Sequence, residues 1–234
     1  MSSSPTFQPQ KYPRTPHLPF SPEHSDDDVI LSDQHCTQFI APTEVVITEK
    51  MDGGNCQLFQ GKIYARTTSK EASHPSFGPI KQLYSQFKYL IPDHLILYGE
   101  NLYGIHSIEY TNLKSFFYLF AILDLNESRW YGWDEMVNFV QENDLTNYIQ
   151  IVPVLFRGTF RSLSEIKQWM DEQIKNKSNS IAGGREGLEG FVLKTTQPFS
   201  TKDFERNVAK YVRKGHIQTD ENWGKTWRQA KLNK

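Results

Sequence analysis

The chain reads as an α+β domain of mainly antiparallel sheets flanked by helices. Three observations predict this: apolar residues alternate with period two in several short segments, they recur at helical spacing in others, and strands and helices mix without strict βαβ order. At 234 residues the chain can bury one substantial core, so a single domain is expected over two.

Residues 1–20 hold five of the twelve prolines and no periodic apolar pattern, which predicts an extended Pro-rich N-terminal segment. Asp26-Asp27-Asp28 reads as a solvated turn or helix cap. Val45 and Ile47, alternating with Val46 and Thr48, predict a strand over 44–50 that runs into a tight glycine turn at Gly53-Gly54. Gln57–Phe59 and Ile63–Arg66 flank Gln60-Gly61 and suit a short hairpin, which sets Arg66 on a strand close to Lys50. Phe77, Ile80, Leu83, Tyr84, Phe87, Leu90 and Ile91 follow helical spacing until Pro92, predicting a core-facing helix over 77–91. Strands are expected at 95–103, 116–124 and 149–156, with a short helix at 133–142. Ser162-Leu163-Ser164-Glu165 has the form of a capping box ahead of Ile166, Trp169, Met170 and Ile174. A polar loop through 176–187 and strands at 188–195 and 207–213 complete the pattern.

No apolar run approaches the ~20 residues of a membrane helix, and Met1-Ser2-Ser3-Ser4-Pro5 lacks the blocks of a signal peptide. An intracellular place, cytoplasmic or nuclear and off the membrane, is therefore expected. Cys36 and Cys56 are too few for a disulfide framework and are expected to be reduced. Net charge is −1, so attraction to a polyanion has to come from local clustering. Residues 202–234 hold nine Lys/Arg against four acids, whereas residues 1–60 hold three against eight. Trp223 and Trp227 among those C-terminal charges point to ordered packing or base stacking.

Lys50 leaves the end of the first alternating run within Thr48-Glu49-Lys50-Met51-Asp52-Gly53-Gly54-Asn55. That placement makes it a candidate covalent nucleophile. A lysine amine attacks phosphorus only when neutral, so it needs desolvation or neighbouring cations. Glycines let backbone approach a phosphate, and nearby acids can place a metal ion over developing charge. A bare Lys-x-Asp-Gly is more often a solvated lysine in a β-turn; the spacing to later motifs reverses that balance. These are Leu97-Tyr98-Gly99-Glu100, Phe117-Tyr118-Leu119-Phe120, Glu189-Gly190-Phe191-Val192-Leu193-Lys194 and Val208-Ala209-Lys210-Tyr211-Val212-Arg213-Lys214. Strand alternation through 189–194 would set Glu189, Phe191 and Leu193 on one face and Gly190, Val192 and Lys194 on the other. A carboxylate sharing a face with Phe191 and Leu193 is costly to bury unless paired, which favours a site role for Glu189.

Taken in order, the five segments resemble the motifs of the covalent nucleotidyltransferase superfamily, the polynucleotide ligases and messenger RNA capping enzymes. Glu49 through Asn55, and Lys11 through Pro19, look most like the ATP-dependent RNA ligase branch. The resemblance covers roughly residues 11–225. It implies a single nucleotidyltransferase (adenylyltransferase) domain over 21–215 without a C-terminal OB domain, followed by a basic tail at 216–234.

The resemblance also implies roles. Lys50 would take AMP from ATP, with Mg2+ or Mn2+, as a lysyl phosphoramidate; the AMP would pass to an RNA 5′-phosphate, and a 3′-hydroxyl would displace it. Glu100 would bind the ribose hydroxyls, Phe120 would stack on adenine, and Glu49 would face the adenine edge. Asn55 and Arg66 would position the nucleotide and strand ends. Glu189 would hold the metal, Lys194 would touch phosphate, and Lys210 would meet the α-phosphate and lower the pKa of Lys50. Family members often have Lys-x-Lys at the last motif; here Val212 breaks it, leaving Arg213 or Lys214, both candidate RNA contacts, for the second charge. Family members also often have an acid after the stacking aromatic, where this chain has Ala121. Arg14 and His17 could reach the nucleotide or RNA end, and His106 reads as a hydrogen-bonded structural histidine. The RNA partner is a pair of ends, 5′-phosphate and 3′-hydroxyl, with an accessory protein as a further expected partner. On this reading residues 202–234 substitute in part for a substrate-gripping domain, so truncation after Gly215 should spare adenylylation and abolish sealing. A minimal DNA ligase, a GTP-using capping-type enzyme and a non-catalytic nucleic-acid binding module are the competing readings.

Overall fold

Two antiparallel sheets face each other in the computed structural model, which describes residues 6–216 and 228–233. In chain order the elements are α1 (Asp33–Cys36), β1 (Val45–Glu49), β2 (Gly54–Phe59), β3 (Lys62–Ala65), α2 (Gly78–Ser85), β4 (Leu95–Asn101), β5 (Gly104–Ile105), β6 (Phe117–Asp124), β7 (Arg129–Trp130) and α3 (Trp133–Glu142). They continue with β8 (Gln150–Ile151), β9 (Val154–Gly158), α4 (Leu163–Lys175), β10 (Gly190–Thr195), β11 (Phe199–Ser200), α5 (Phe204–Asn207), β12 (Val208–Val212) and β13 (Arg228–Gln229). The smaller sheet has the order β12-β10-β1-β9, and the larger has β11-β7-β6-β4-β2-β3 with β8 paired parallel to β6.

Alternation sets the layers. Val45 and Ile47 pack with Phe191, Leu193, Ile166 and Met170 beneath α4. On the larger sheet Leu58, Leu97, Leu119 and Ile122 form a second core with α2 and α3. A third, aromatic cluster ties the sheets together: Tyr12, Tyr98, Trp130 and Phe204 pack with Val208 of β12, while Val192 of β10 lies against them. Ser162 Oγ accepts from the Glu165 amide at 3.2 Å and the Glu165 carboxylate reaches back to the Arg161 amide at 2.7 Å, which fixes the start of α4.

Two expected elements are broken, each for a visible reason. The 77–91 helix keeps its helical middle only at α2, with 3-10 turns at Pro75–Phe77 and Lys88–Leu90. Phe87 leaves helical geometry (φ −131°, ψ 4°) to pack against Tyr84 at 5.3 Å and Tyr148 at 5.2 Å. The 149–156 strand is split at Pro153, which has no amide to donate to a ladder: β8 joins the larger sheet and β9 the smaller. The Pro153 carbonyl accepts from the Glu49 amide at 2.9 Å, so the crossing strand touches the residue before Lys50.

The N-terminal segment is docked along β12. Lys210 donates its amide to the Pro16 carbonyl (2.8 Å) and accepts from Leu18 (2.8 Å), covering a sheet edge. Leu18 and Tyr12 are buried. Beyond the last motif, β13 pairs with β5 and Ala230 is buried; Trp223 and Trp227 lie outside the described residues. Both cysteines are free and buried. Among the described residues no helix is long and apolar enough to cross a membrane.

Candidate active site

A cleft of ≈ 870 Å3 opens between the inner faces of the two sheets. Thr48 pairs with Val192 and Val192 with Lys210, forming one row across the smaller sheet. Two residues on, the Lys50 amide donates to the Gly190 carbonyl at 3.0 Å, and Gly190 pairs with Val212. Period two thus aims Thr48 and Lys50 into the cleft. A side chain at Gly190 would put its Cβ 1.9 Å from the Tyr211 carbonyl oxygen, and one at Gly53 would sit 2.5 Å from that of Asn101. Both glycines allow backbone approaches on either side of Lys50. From the larger sheet, Asn55 and Glu100 are cross-strand neighbours facing the cleft.

The Lys50 Nζ donates to Glu189 Oε1 at 2.5 Å. Glu189 is buried, and its Oε2 has no hydrogen-bond partner. Burial pushes the Glu189 carboxyl up and Glu100 up to about 8. Burial pulls the Lys50 amine down, yet the charge and hydrogen bond of Glu189, with Glu100 and Asp52, outweigh it and hold the pKa above the ordinary lysine value. The charges of Lys210 and Lys50 repel each other, but the Glu189 carboxylate against the amine outweighs the lowering expected from Lys210.

At the other end of the cleft, Phe120 meets Tyr12 edge-on at 5.0 Å and has the Lys194 ammonium 5.4 Å from its ring centroid. Lys194 also donates to the Phe120 carbonyl, and burial pulls its pKa down to about 7. The expected phosphate contact of Lys194 does not fit this position. Lys194 pairs with Val46, four residues before Lys50, which at ~3.3 Å per residue puts it ~13 Å along the strand from the nucleophile. It buttresses the aromatic platform instead.

Lys210 lines the cleft and pairs with Asp28 at 3.2 Å. Burial lowers its pKa, while Asp28 opposes the effect. His17 lies 3.4 Å from the same carboxylate, and burial lowers its pKa to about 4. Arg14, Arg66 and His106 also line the cleft. Arg213 donates through Nε to the Leu188 carbonyl at 2.8 Å and Lys214 is exposed. Neither lines the cleft, so neither supplies the second charge beside Lys50.

Glu49 departs from expectation as well. Its carboxylate accepts from Ser180 Oγ (2.6 Å), Ile181 N (3.0 Å) and Ala182 N (3.2 Å), which commits it to the 180–182 loop rather than to an adenine edge. Glu189, in turn, extends the backbone ladder, its carbonyl accepting from the Arg213 amide at 3.0 Å, yet its carboxylate reaches Lys50 while Phe191 and Leu193 pack in the core under α4.

Sequence reasoning passed over Asp52 and His216. Asp52 Oδ2 accepts from Ser107 N (2.8 Å), Ser107 Oγ (2.7 Å) and Ile108 N (2.7 Å). His216 Nε2 lies 3.3 Å from Glu189 Oε1 and 3.8 Å from Asp52 Oδ1. Asp52 was visible as the acid of Lys-x-Asp-Gly. His216 had no signal, being one residue past a glycine in a segment that reads as tail.

A lysine at a strand end, a buried carboxylate against it and an aromatic side chain thus meet around a cleft between two antiparallel sheets. The model of the RNA ligase family matches residues 43–212, and the chain belongs to that family. Among curated proteins no sequence matches it significantly. Solved structures similar to it include a Naegleria gruberi RNA ligase variant with ATP and Mn (16% identity, 81% of this chain, 55% of that chain, TM-score 0.54). A second variant with ATP and Mn (16%, 88%, 61%, 0.55) and the ligase with PPi (15%, 81%, 54%, 0.54) are similar. At these identities the likeness establishes the fold. The chain spans between half and two thirds of the length of these ligases.

Proposed function

We propose that the protein is an ATP-dependent RNA ligase that works through a lysyl-AMP intermediate at Lys50. The observation that carries this reading is the contact of buried Glu189 with Lys50, which lines a cleft together with Phe120 and Lys210. ATP would lie with its base against Phe120, opposite Val192, its ribose toward Glu100 and Asn55, and its phosphates between Lys50 and Lys210. Asn55 Oδ1 is buried without a partner, as an atom awaiting a ligand would be.

In the first step the Lys50 nitrogen forms a bond to the α-phosphorus while the bond to the pyrophosphate oxygen breaks, and pyrophosphate leaves. The amine must shed a proton first. Glu189, whose carboxyl is pushed up by burial, is placed to receive it. Lys210 offsets charge on the α-phosphate, since phosphoryl transfer depends on alignment and charge neutralisation. Mg2+ or Mn2+, held by Glu189, would neutralise charge on the phosphates; the unpartnered Glu189 Oε2 fits a cation. A 5′-phosphate oxygen of RNA then attacks the lysyl-AMP phosphorus and frees the lysine. Finally a 3′-hydroxyl attacks the activated 5′-phosphate, forming the phosphodiester and releasing AMP.

Arg66, Arg213 and Lys214 are the proposed contacts to the RNA ends, and a partner protein the proposed source of further grip. Incubation with radiolabelled ATP or GTP and a divalent ion, followed by denaturation, tests the reading. Label retained from ATP and lost in Lys50→Ala supports it. Label from GTP alone points to capping chemistry, and no label from either points to a binding module.

A further inference from the structure

Behind Phe120 lies a second, much smaller space. A cavity of ≈ 20 Å3 sits between the edge of the larger sheet and the start of α3, with Phe120, Trp130, Gly132, Trp133, Met136 and Lys194 among its walls. It has room for one water-sized particle and is too small for a phosphate or a carboxylate. Tyr12, Phe120 and Lys194 also line the cleft, so the two spaces share a wall.

The groups around this cavity are electropositive. Lys194 is 7% exposed, and its ammonium donates to the Phe120 carbonyl, leaving N–H bonds unspent. Among the described residues no carboxylate pairs with Lys194, and none lines the cavity. Trp130 is 3% exposed and its indole Nε1 has no partner, a condition buried donors rarely keep. Gly132 and Trp133 bring the positive end of the ten-residue α3 to the same wall. The acids of that first turn are engaged elsewhere, Asp134 by Arg157 at 2.6 Å and Glu135 by Arg129 at 2.7 Å. An ammonium buried without an anion is costly. One small counter-ion would relieve that cost and give the indole an acceptor.

We propose that this cavity binds a single halide ion, chloride in ordinary buffers, held by the Lys194 ammonium and the Trp130 indole N–H. Chloride and bromide suit the site, whereas fluoride, the smallest halide, is the most costly to dehydrate. Without a halide the amine is the depressed base of about 7; a bound halide favours its charged form and keeps a cation beside the Phe120 ring. The consequence for a stacked base rests on the ligase reading; halide binding does not.

The test follows the chloride line width by chlorine nuclear magnetic resonance on the full chain, without nucleotide or divalent ion, at ionic strength held constant with gluconate. Excess broadening that saturates, and that bromide displaces but fluoride does not, is expected. Lys194→Met should weaken chloride binding by about tenfold or more, as loss of a charged hydrogen bond does, and Trp130→Phe should weaken it as well. Lys210→Ala, which removes a cation of the cleft, should keep it. Broadening that never saturates, that survives Lys194→Met, or that disappears in Lys210→Ala would overturn the proposal. If the cavity variants fail to fold, anomalous diffraction from crystals of the unaltered protein in sodium bromide decides. A bromide peak within hydrogen-bond reach of Lys194 Nζ and Trp130 Nε1 supports the site; water there, or bromide on the surface only, removes it. Adenylylation is assayed on the same preparations. Saturable chloride binding without adenylylation defeats the ligase reading alone, and adenylylation without saturable chloride binding defeats the site alone.

Discussion

The Lys50 Nζ stands 2.5 Å from Glu189 Oε1, although the two residues are 139 positions apart. The carboxylate that holds the amine in place also keeps it protonated. Glu189→Gln should therefore act in opposite directions on two readouts. The amine, relieved of its anion, should react faster with a small acylating reagent, by about tenfold for each unit its pKa falls. Adenylylation should drop by on the order of 10²-fold as proton acceptor and phosphate-side charge control are lost. Parallel falls in both rates would contradict the arrangement.

Asp28 competes for the cation that the phosphates need. The Lys210–Asp28 contact is partly exposed, with side-chain exposures of 19% and 24%, and such pairs are worth roughly 0.2–1 kcal/mol. Asp28→Asn should tighten ATP binding by about two- to fivefold, whereas Lys210→Ala should weaken it. Calorimetric titration with ATP measures both; weaker binding in Asp28→Asn would show that Asp28 supports the nucleotide rather than opposing it.

Glu49 separates a structural role from base reading. Removing its charge leaves the donors from residues 180–182 facing an amide, which costs about 2 kcal/mol for a buried set of this kind. Glu49→Gln should lower the denaturation midpoint while leaving preference for ATP over GTP unchanged. A shifted preference at constant stability would restore the adenine-edge role.

Lys194 supplies a pH dependence. Its amine falls from the ordinary 10.5 to about 7 through burial. A base with a depressed folded pKa binds fewer protons when folded, so between pH 7 and 10.5 the unfolded state holds the extra proton and stability rises with pH. The gain should be on the order of 4 kcal/mol over that window, and smaller in Lys194→Met. Denaturant unfolding at pH 7.5 and 10 compares them, and equal slopes in the two proteins would exclude a buried, largely neutral amine.

Much of this was legible in the chain. Alternation at 45–49 and 190–195 marked two paired strands of the smaller sheet, and the glycine turn after Lys50 marked the end of the cleft where that lysine stands. What the sequence withheld depended on partners distant along the chain. The direction of Glu49 is set by donors at 180–182, and that of Lys194 by a carbonyl on β6. Pro153 hides a change of sheet inside one apparent strand. His216 enters the site only because the chain turns back after β12, and its presence revises the truncation experiment: ending the chain at Gly215 removes a residue beside Glu189 together with β13. Loss of adenylylation is now expected there, alongside loss of sealing.

The most direct test is the intact mass of the protein after incubation with ATP and a divalent ion, followed by peptide mapping. The account predicts one added AMP, mapped to Lys50, released by pyrophosphate and absent in Lys50→Ala. Unmodified mass under conditions where the protein binds ATP, or an adduct mapped to Lys194 or Lys210, would contradict it.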